Sequence, residues 1–101
     1  VNVRERERFR DATVRLYPEV APGLHAYIAE LWPDNVHTMQ VRAVAAARPG
    51  SGALSRWLDT LSSDVRWEFW LVTSPWVERS LARRGFTCIS RKTNTWRREA
   101  T

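Results

Sequence analysis

The residues from Val41 to Phe86, VRAVAAARPGSGALSRWLDTLSSDVRWEFWLVTSPWVERSLARRGF, decide the fold. Val36 to Ala46 reads as a strand, and it runs into Arg48-Pro49-Gly50-Ser51-Gly52-Ala53, a glycine-rich turn. Leu54, Trp57, Leu58 and Leu61 then recur at i, i+3, i+4 and i+7, the spacing of one helix face. Ser62-Ser63-Asp64 ends that helix. Trp67 to Thr73 carries aromatic and β-branched residues on both parities, with Glu68 as its only charge, which predicts a central strand covered on both faces. Ser74 is suited to cap the next helix, Pro75 to be its first residue, and Gly85, just after Arg83-Arg84, to end it in the left-handed conformation. A strand that delivers a Gly-rich loop to a helix start can present unpaired backbone N–H groups to a phosphate.

Outward from this stretch, Arg4 to Tyr17 has the spacing of a helix, with Asn2 as N-cap and Glu5–Arg8, Glu7–Arg10 and Asp11–Arg15 as neighbours on its surface. Pro18 and Ala21-Pro22-Gly23 interrupt it. Leu24 to Leu31 favours a strand, although a short helix is an alternative; Trp32-Pro33-Asp34-Asn35 makes a turn into the strand from Val36, so the two form an antiparallel hairpin. The chain closes with short strands Phe86 to Ser90 and Asn94 to Arg98. The order is α, β, β, α, β, α, β, β. The fold class is α/β (α+β): a mixed, mostly antiparallel sheet with one parallel strand pair and flanking helices. The strands from Val36 and Trp67 are joined through a helix and therefore pair in parallel. Where they diverge at their C-terminal ends a cleft opens, the usual ligand position in open α/β sheets.

At 101 residues the chain is expected to form one domain. Its net charge of +5 comes from 16 basic residues, of which Lys92 is the only lysine. They are spread along the chain with acidic neighbours, so a nucleic-acid partner is the weaker reading. Cys88 is the sole cysteine, which excludes an internal disulfide, and with two histidines the chain has no zinc-ligand spacing. The expectation is no metal, no membrane span and no secretion signal, with residence in the cytoplasm or inside an assembled particle.

The order of elements resembles the GNAT superfamily of acetyl-CoA-dependent N-acetyltransferases, over roughly Leu24 to Arg98. Val41 to Leu61 is similar to the family's strand, pyrophosphate loop and helix, usually written Q/R-x-x-G-x-G/A. Trp67 to Phe86 is similar to the following strand and the helix that ends in Gly85-Phe86. The resemblance implies that acetyl-CoA or another acyl-CoA lies at Val44, Ala46, Arg48, Gly50, Ser51, Gly52 and Ala53, and that an amine is the acceptor. The loop departs from the motif. With Arg48 at the first position, Ser51 replaces a glycine; with Gly50 and Gly52 on the glycines, Ala47 takes the basic position; a third register puts Leu54 on the second glycine. Gly-x-Gly also has a purely structural reading, a flexible strand-to-helix turn; for phosphate binding Arg48 or Arg56 would supplement the loop by charge, the alternative being that either simply faces solvent.

The family's usual proton donor, a tyrosine four residues before the Gly of Gly-Phe, is here Leu81. For a base, the candidates are His37 in the strand, Glu30 across the hairpin and Glu68 on the parallel neighbour. Six tryptophans stand out: Trp57, Trp67 and Trp70 on expected core faces, and Trp32, Trp76 and Trp96 near turns or ends, where exposure would suggest a protein interface. Two functions follow. One is transfer of an acyl group from acyl-CoA to an amine. The other is a catalytically inactive module of the same fold with protein partners or as a homo-oligomer, for example in a phage or other large assembly.

Overall fold

The computed structural model describes residues 13–48 and 50–101. Six strands form one sheet in the order β1-β2-β3-β4-β6-β5: β1 (Thr13–Ala21), β2 (Leu24–Leu31), β3 (Thr38–Ala46), β4 (Arg66–Phe69), β5 (Thr87–Ser90) and β6 (Thr95–Arg98). Two helices, α1 (Ala53–Leu58) and α2 (Pro75–Ala82), occupy the β3–β4 and β4–β5 connections. All neighbouring strands are antiparallel except β3 and β4, which pair in parallel from Thr38↔Arg66 to Val41↔Phe69. The mixed α+β architecture and its single parallel pair are therefore as the residue pattern predicts.

The helix expected over Arg4 to Tyr17 is corrected at its C-terminal end. Thr13 to Tyr17 belongs to β1, paired antiparallel from Thr13↔Glu30 to Tyr17↔Ala26; Arg4 to Ala12 lies outside the described residues. Thr13-Val14-Arg15-Leu16-Tyr17 is itself rich in β-formers that alternate in polarity, and a sheet neighbour decides such a segment. Pro18 sits in the same strand, where the register is broken between Tyr17 and Ala21; an edge strand tolerates a missing N–H. The expected strand Trp67 to Thr73 is also shorter. Trp70 donates one more backbone bond to Val41 O (3.0 Å), after which Leu71 adopts φ 52° and turns the chain away.

Both helices bury one face against the same side of the sheet. Ala53, Trp57 and Leu58 of α1 and Leu81 of α2 join Leu24, Ala26, Ile28, Val41, Trp67, Phe69, Phe86 and Trp96 in one core. Trp57 meets Trp67 and Phe69 edge-on, each with ring centroids 6.0 Å apart, and Phe69 meets Phe86 at 5.4 Å. The end of α2 is a Schellman turn: Phe86 N–H reaches back to Leu81 O and Gly85 N–H to Ala82 O, with Gly85 at φ 85°. Phe86 and Leu81 are both buried, supplying the apolar contact of that motif. At the other end Pro75 opens the helix as expected, but the Ser74 hydroxyl makes no cap hydrogen bond.

Two long-range side chains fix how the helices sit. Arg84 donates from Nε to Asp59 (2.8 Å), from Nη1 to Ser80 O (2.9 Å) and from Nη2 to the Ser55 hydroxyl (2.9 Å), tying α2 to α1. Asn94, at φ 47°, accepts from Trp96 Nε1 (3.0 Å) and donates to Glu78 (2.6 Å) and to the Val72 carbonyl. Its own carbonyl takes the Val72 N–H (3.0 Å), so the segment after β4 is anchored to β6 and α2 together.

Candidate functional site

The parallel pair is only four residues deep, and its divergence makes the site. Beyond Val41, β3 stays with β2 as far as Ala46↔Leu24, whereas the chain after Phe69 is held by Asn94 on the other side. A cleft of about 280 Å³ opens between them, walled by Val41 to Val44 and Phe69 to Ser74 and floored by Leu54 and Val77. A second cavity of about 500 Å³ lies past the end of β3, lined by Ala46, Gly50 to Leu54 and Trp76. Leu54 lines both, so the two adjoin at that side chain, between the loop and the splayed strands.

The loop itself is shaped by conformation. Gly50 and Gly52 both have φ 79°, a region where a side chain is strained, so each glycine is needed by the turn whatever it binds. Ser51 N–H closes the turn onto Arg48 O (3.2 Å), and Ala47 N–H bonds Gly23 O (2.8 Å), fixing the turn to the β1–β2 connection. Arg56 folds back from α1, donating to Ser51 O (3.0 Å) with Nη1 only 3.1 Å from where a Cβ on Gly52 would stand. Of the two loop cations considered from the sequence, Arg56 thus lies on the loop; Arg48 is exposed and contributes its backbone. Val44 lines the cleft, and Ala46, Gly50, Ser51, Gly52 and Ala53 line the adjoining cavity.

A β-bulge sits at the cleft wall. Tyr27 pairs with Ala43 and Ile28 with Val41, leaving Arg42 as the extra residue of β3. The bulge reverses the side-chain parity, so Met39 and Val41 before it and Val44 and Ala46 after it all pack toward the helices. Arg42 is the only ionisable residue among the described residues lining the cleft; otherwise Thr73, Ser74 and Trp70 are its residues with polar side-chain groups.

The three acid–base candidates are dispersed. His37 Nε2 and Glu30 Oε2 are paired at 2.7 Å, and the His37 ring stacks on Trp32 (4.8 Å, 7°). They stand at the β2–β3 turn, the N-terminal end of β3. From Thr38 to Val44 is six residues of strand, roughly 20 Å at about 3.3 Å per residue, so that pair is far from the loop. Glu68 is nearer but buried on the sheet face opposite the helices. It accepts from Arg97 Nε (2.8 Å) and Nη2 (2.7 Å), from Gln40 Nε2 (3.0 Å) and from Trp70 Nε1 (3.4 Å). Gln40, Glu68 and Arg97 are register neighbours across β3, β4 and β6, a polar row that ties the root of the cleft together. Leu81, at the position of the family tyrosine, is fully buried in the core.

Arg42, Asn94 and Arg84 are the residues that sequence reasoning missed. Their roles depend on partners in other elements, and the only local signal was Asn94 as a turn-former between two short strands. No group of three or more potential metal ligands occurs among the described residues, and no helix among them is long and apolar enough to cross a membrane. No protein family matches the chain, and neither does any curated protein or solved structure.

Proposed function

We propose that the protein is a GNAT-like N-acyltransferase that moves an acetyl or other acyl group from acyl-CoA to an amine. The observation that carries this reading is the short parallel pair: β3 and β4 separate after Val41 and Phe69 into a cleft that adjoins, at Leu54, the cavity at the Gly50 to Ala53 loop. A long, jointed coenzyme fits such a track. Its phosphates lie at the loop beside the Arg56 guanidinium, and its arm runs between the splayed strands.

The chemistry asked of the site is direct. The acceptor amine attacks the thioester carbonyl, the C–N bond forms as the C–S bond breaks, the amine proton leaves to water and the thiolate is protonated from water. Transfer rests on positioning and on polarisation of the thioester carbonyl by backbone near the end of β3. With no carboxylate or imidazole among the described cleft residues, the acceptor must arrive as the neutral amine. Incubating the protein with acetyl-CoA and a panel of amines while following thiol release tests this directly. Acceptor-dependent release that fails in Leu54→Trp, which obstructs both cavities, supports it; release no faster than buffer hydrolysis across the panel contradicts it.

A second reading, a non-catalytic interaction module, is favoured by Trp32 (50% exposed) and Trp76 (46%), large aromatic surfaces open to a partner. Trp57, Trp67 and Trp96 are buried and are packing residues. Sedimentation analysis separates the readings: self-association lost in Trp32→Ser or Trp76→Ser supports the module, and a monomer at all concentrations opposes its homo-oligomeric form.

A further inference from the structure

Arg42 carries a buried donor with no partner among the described residues. Its Nε is shut off from solvent and makes no hydrogen bond to any of them, while Nη2 finds only the neutral Gln40 carbonyl oxygen at 3.3 Å. The guanidinium lies over the Trp70 ring, 4.8 Å from its centroid. No carboxylate among the described residues pairs with it: the nearby Glu68 is engaged by Arg97. Leaving a desolvated cationic donor unmatched is costly, and proteins ordinarily pair it. Arg42 stands at the β-bulge and is one of the residues that line the cleft, its guanidinium lying with Gln40 and Trp70 on the sheet face of Glu68.

We infer that Arg42 is the recognition site for a carboxylate on the acceptor, so that the acceptor class is an amine that also bears a carboxylate, such as an amino acid. The inference rests on the transferase reading for the word acceptor, though not for the anion site itself. Once the guanidinium gives up its long Gln40 contact and turns to the cleft, its unmatched Nε and its Nη2 are the paired donors that a carboxylate accepts side-on. The coenzyme's phosphates are the wrong distance away: Arg42 precedes the end of β3 at Ala46 by four residues, roughly 13 Å at about 3.3 Å each, and the loop lies beyond that. The cation also acts on the other end of the acceptor. An ammonium group beside a guanidinium is disfavoured, so the same residue that holds the carboxylate promotes the neutral amine that the reaction needs.

The test is a side-chain NMR titration of the whole chain, following the Arg42 Nε–H and Trp70 indole resonances. The probes are a mixture of the common L-amino acids, the matching mixture of their α-amides, and inorganic phosphate, with acetyl-CoA titrated separately. The expected result is a saturable shift of both resonances with the acids, at least tenfold tighter than with the amides or phosphate. Arg42→Gln should remove it, and Arg42→Lys, which keeps charge without Nε, should weaken it at least threefold; an unchanged unfolding midpoint certifies each variant, and Arg42→Lys carries the comparison if Arg42→Gln unfolds early. Equal response to amides, unchanged affinity in the variants, tighter binding of phosphate, or no shift at all would overturn the proposal. Carboxylate binding without acetyl-CoA binding would leave the anion site standing and sink the transferase reading; the reverse pattern would do the opposite.

Discussion

Removing Arg97 is expected to destabilise the protein more than removing Glu68, although both deletions break the same ion pair. The asymmetry comes from burial: the Glu68 side chain is 5% exposed and that of Arg97 31%. In Arg97→Ala the carboxylate stays inside the sheet with only Gln40 and Trp70 as donors. A buried charge stripped of its partner costs about 3–5 kcal/mol. In Glu68→Ala the guanidinium keeps its access to water and has Glu99 at 3.7 Å, so the main loss is the acceptor for Gln40 and Trp70, about 2 kcal/mol. Replacing the pair together, Glu68→Leu with Arg97→Met, removes both charges but still strands the Gln40 and Trp70 donors, so its loss should be about 2 kcal/mol, smaller than that of Arg97→Ala. Urea unfolding of the four proteins measures this, as shifts in midpoint at constant slope. A domain of this length is stable by only about 5–15 kcal/mol, so the Arg97→Ala shift is large. Equal losses, or a larger loss for Glu68→Ala, would refute the claim that carboxylate burial sets the cost.

Asn94→Ala removes acceptors and donors shared by Val72, Glu78 and Trp96 and leaves a β-carbon at φ 47° without the polar side chain that eases it, an expected loss of about 3 kcal/mol; Asn94→Gly should recover about 1 kcal/mol of that in thermal unfolding. Arg84→Ala frees α1 from α2 at a cost of about 2 kcal/mol, and amide hydrogen exchange in Ala53–Leu58 should accelerate more than in the strands. Gly85→Ala meets only Arg98 Cδ at 3.8 Å, so its cost is the backbone term alone, about 1 kcal/mol, and a loss above about 3 kcal/mol would mean the site is more crowded than described. Acyl transfer should rise with pH until the acceptor's own amine is neutral, and acceptors of lower amine pKa should shift the profile to lower pH; a profile independent of the acceptor would point to a titrating protein group instead.

What the residues revealed unaided is what short-range rules govern. Ser74-Pro75 and Gly85-Phe86 bracket a helix through local dihedral preferences, and the structure ends that helix with the left-handed glycine the sequence requires. The parallel pair was legible because a helix between two strands forces it. Thr13 to Tyr17 was misread because charge spacing upstream carried a helical period into a segment whose state is set by pairing with β2. Leu71 at φ 52° had no local signal, and it is what shortens β4 and opens the cleft. Glu68 drew notice as a charge in an apolar strand, yet its partner Arg97 is 29 residues away, a separation that no local pattern reports. Arg42 was hidden for the same reason: only the register against β2 reveals the bulge.

The central claim is that the track from the Gly50 to Ala53 loop to the splayed strands holds an acyl-CoA, and calorimetric titration with acetyl-CoA and with CoA tests it most directly. The account predicts saturable one-to-one binding that is lost in a folded Leu54→Trp variant. A well-folded protein that gives no heat with either ligand at millimolar concentration would contradict it.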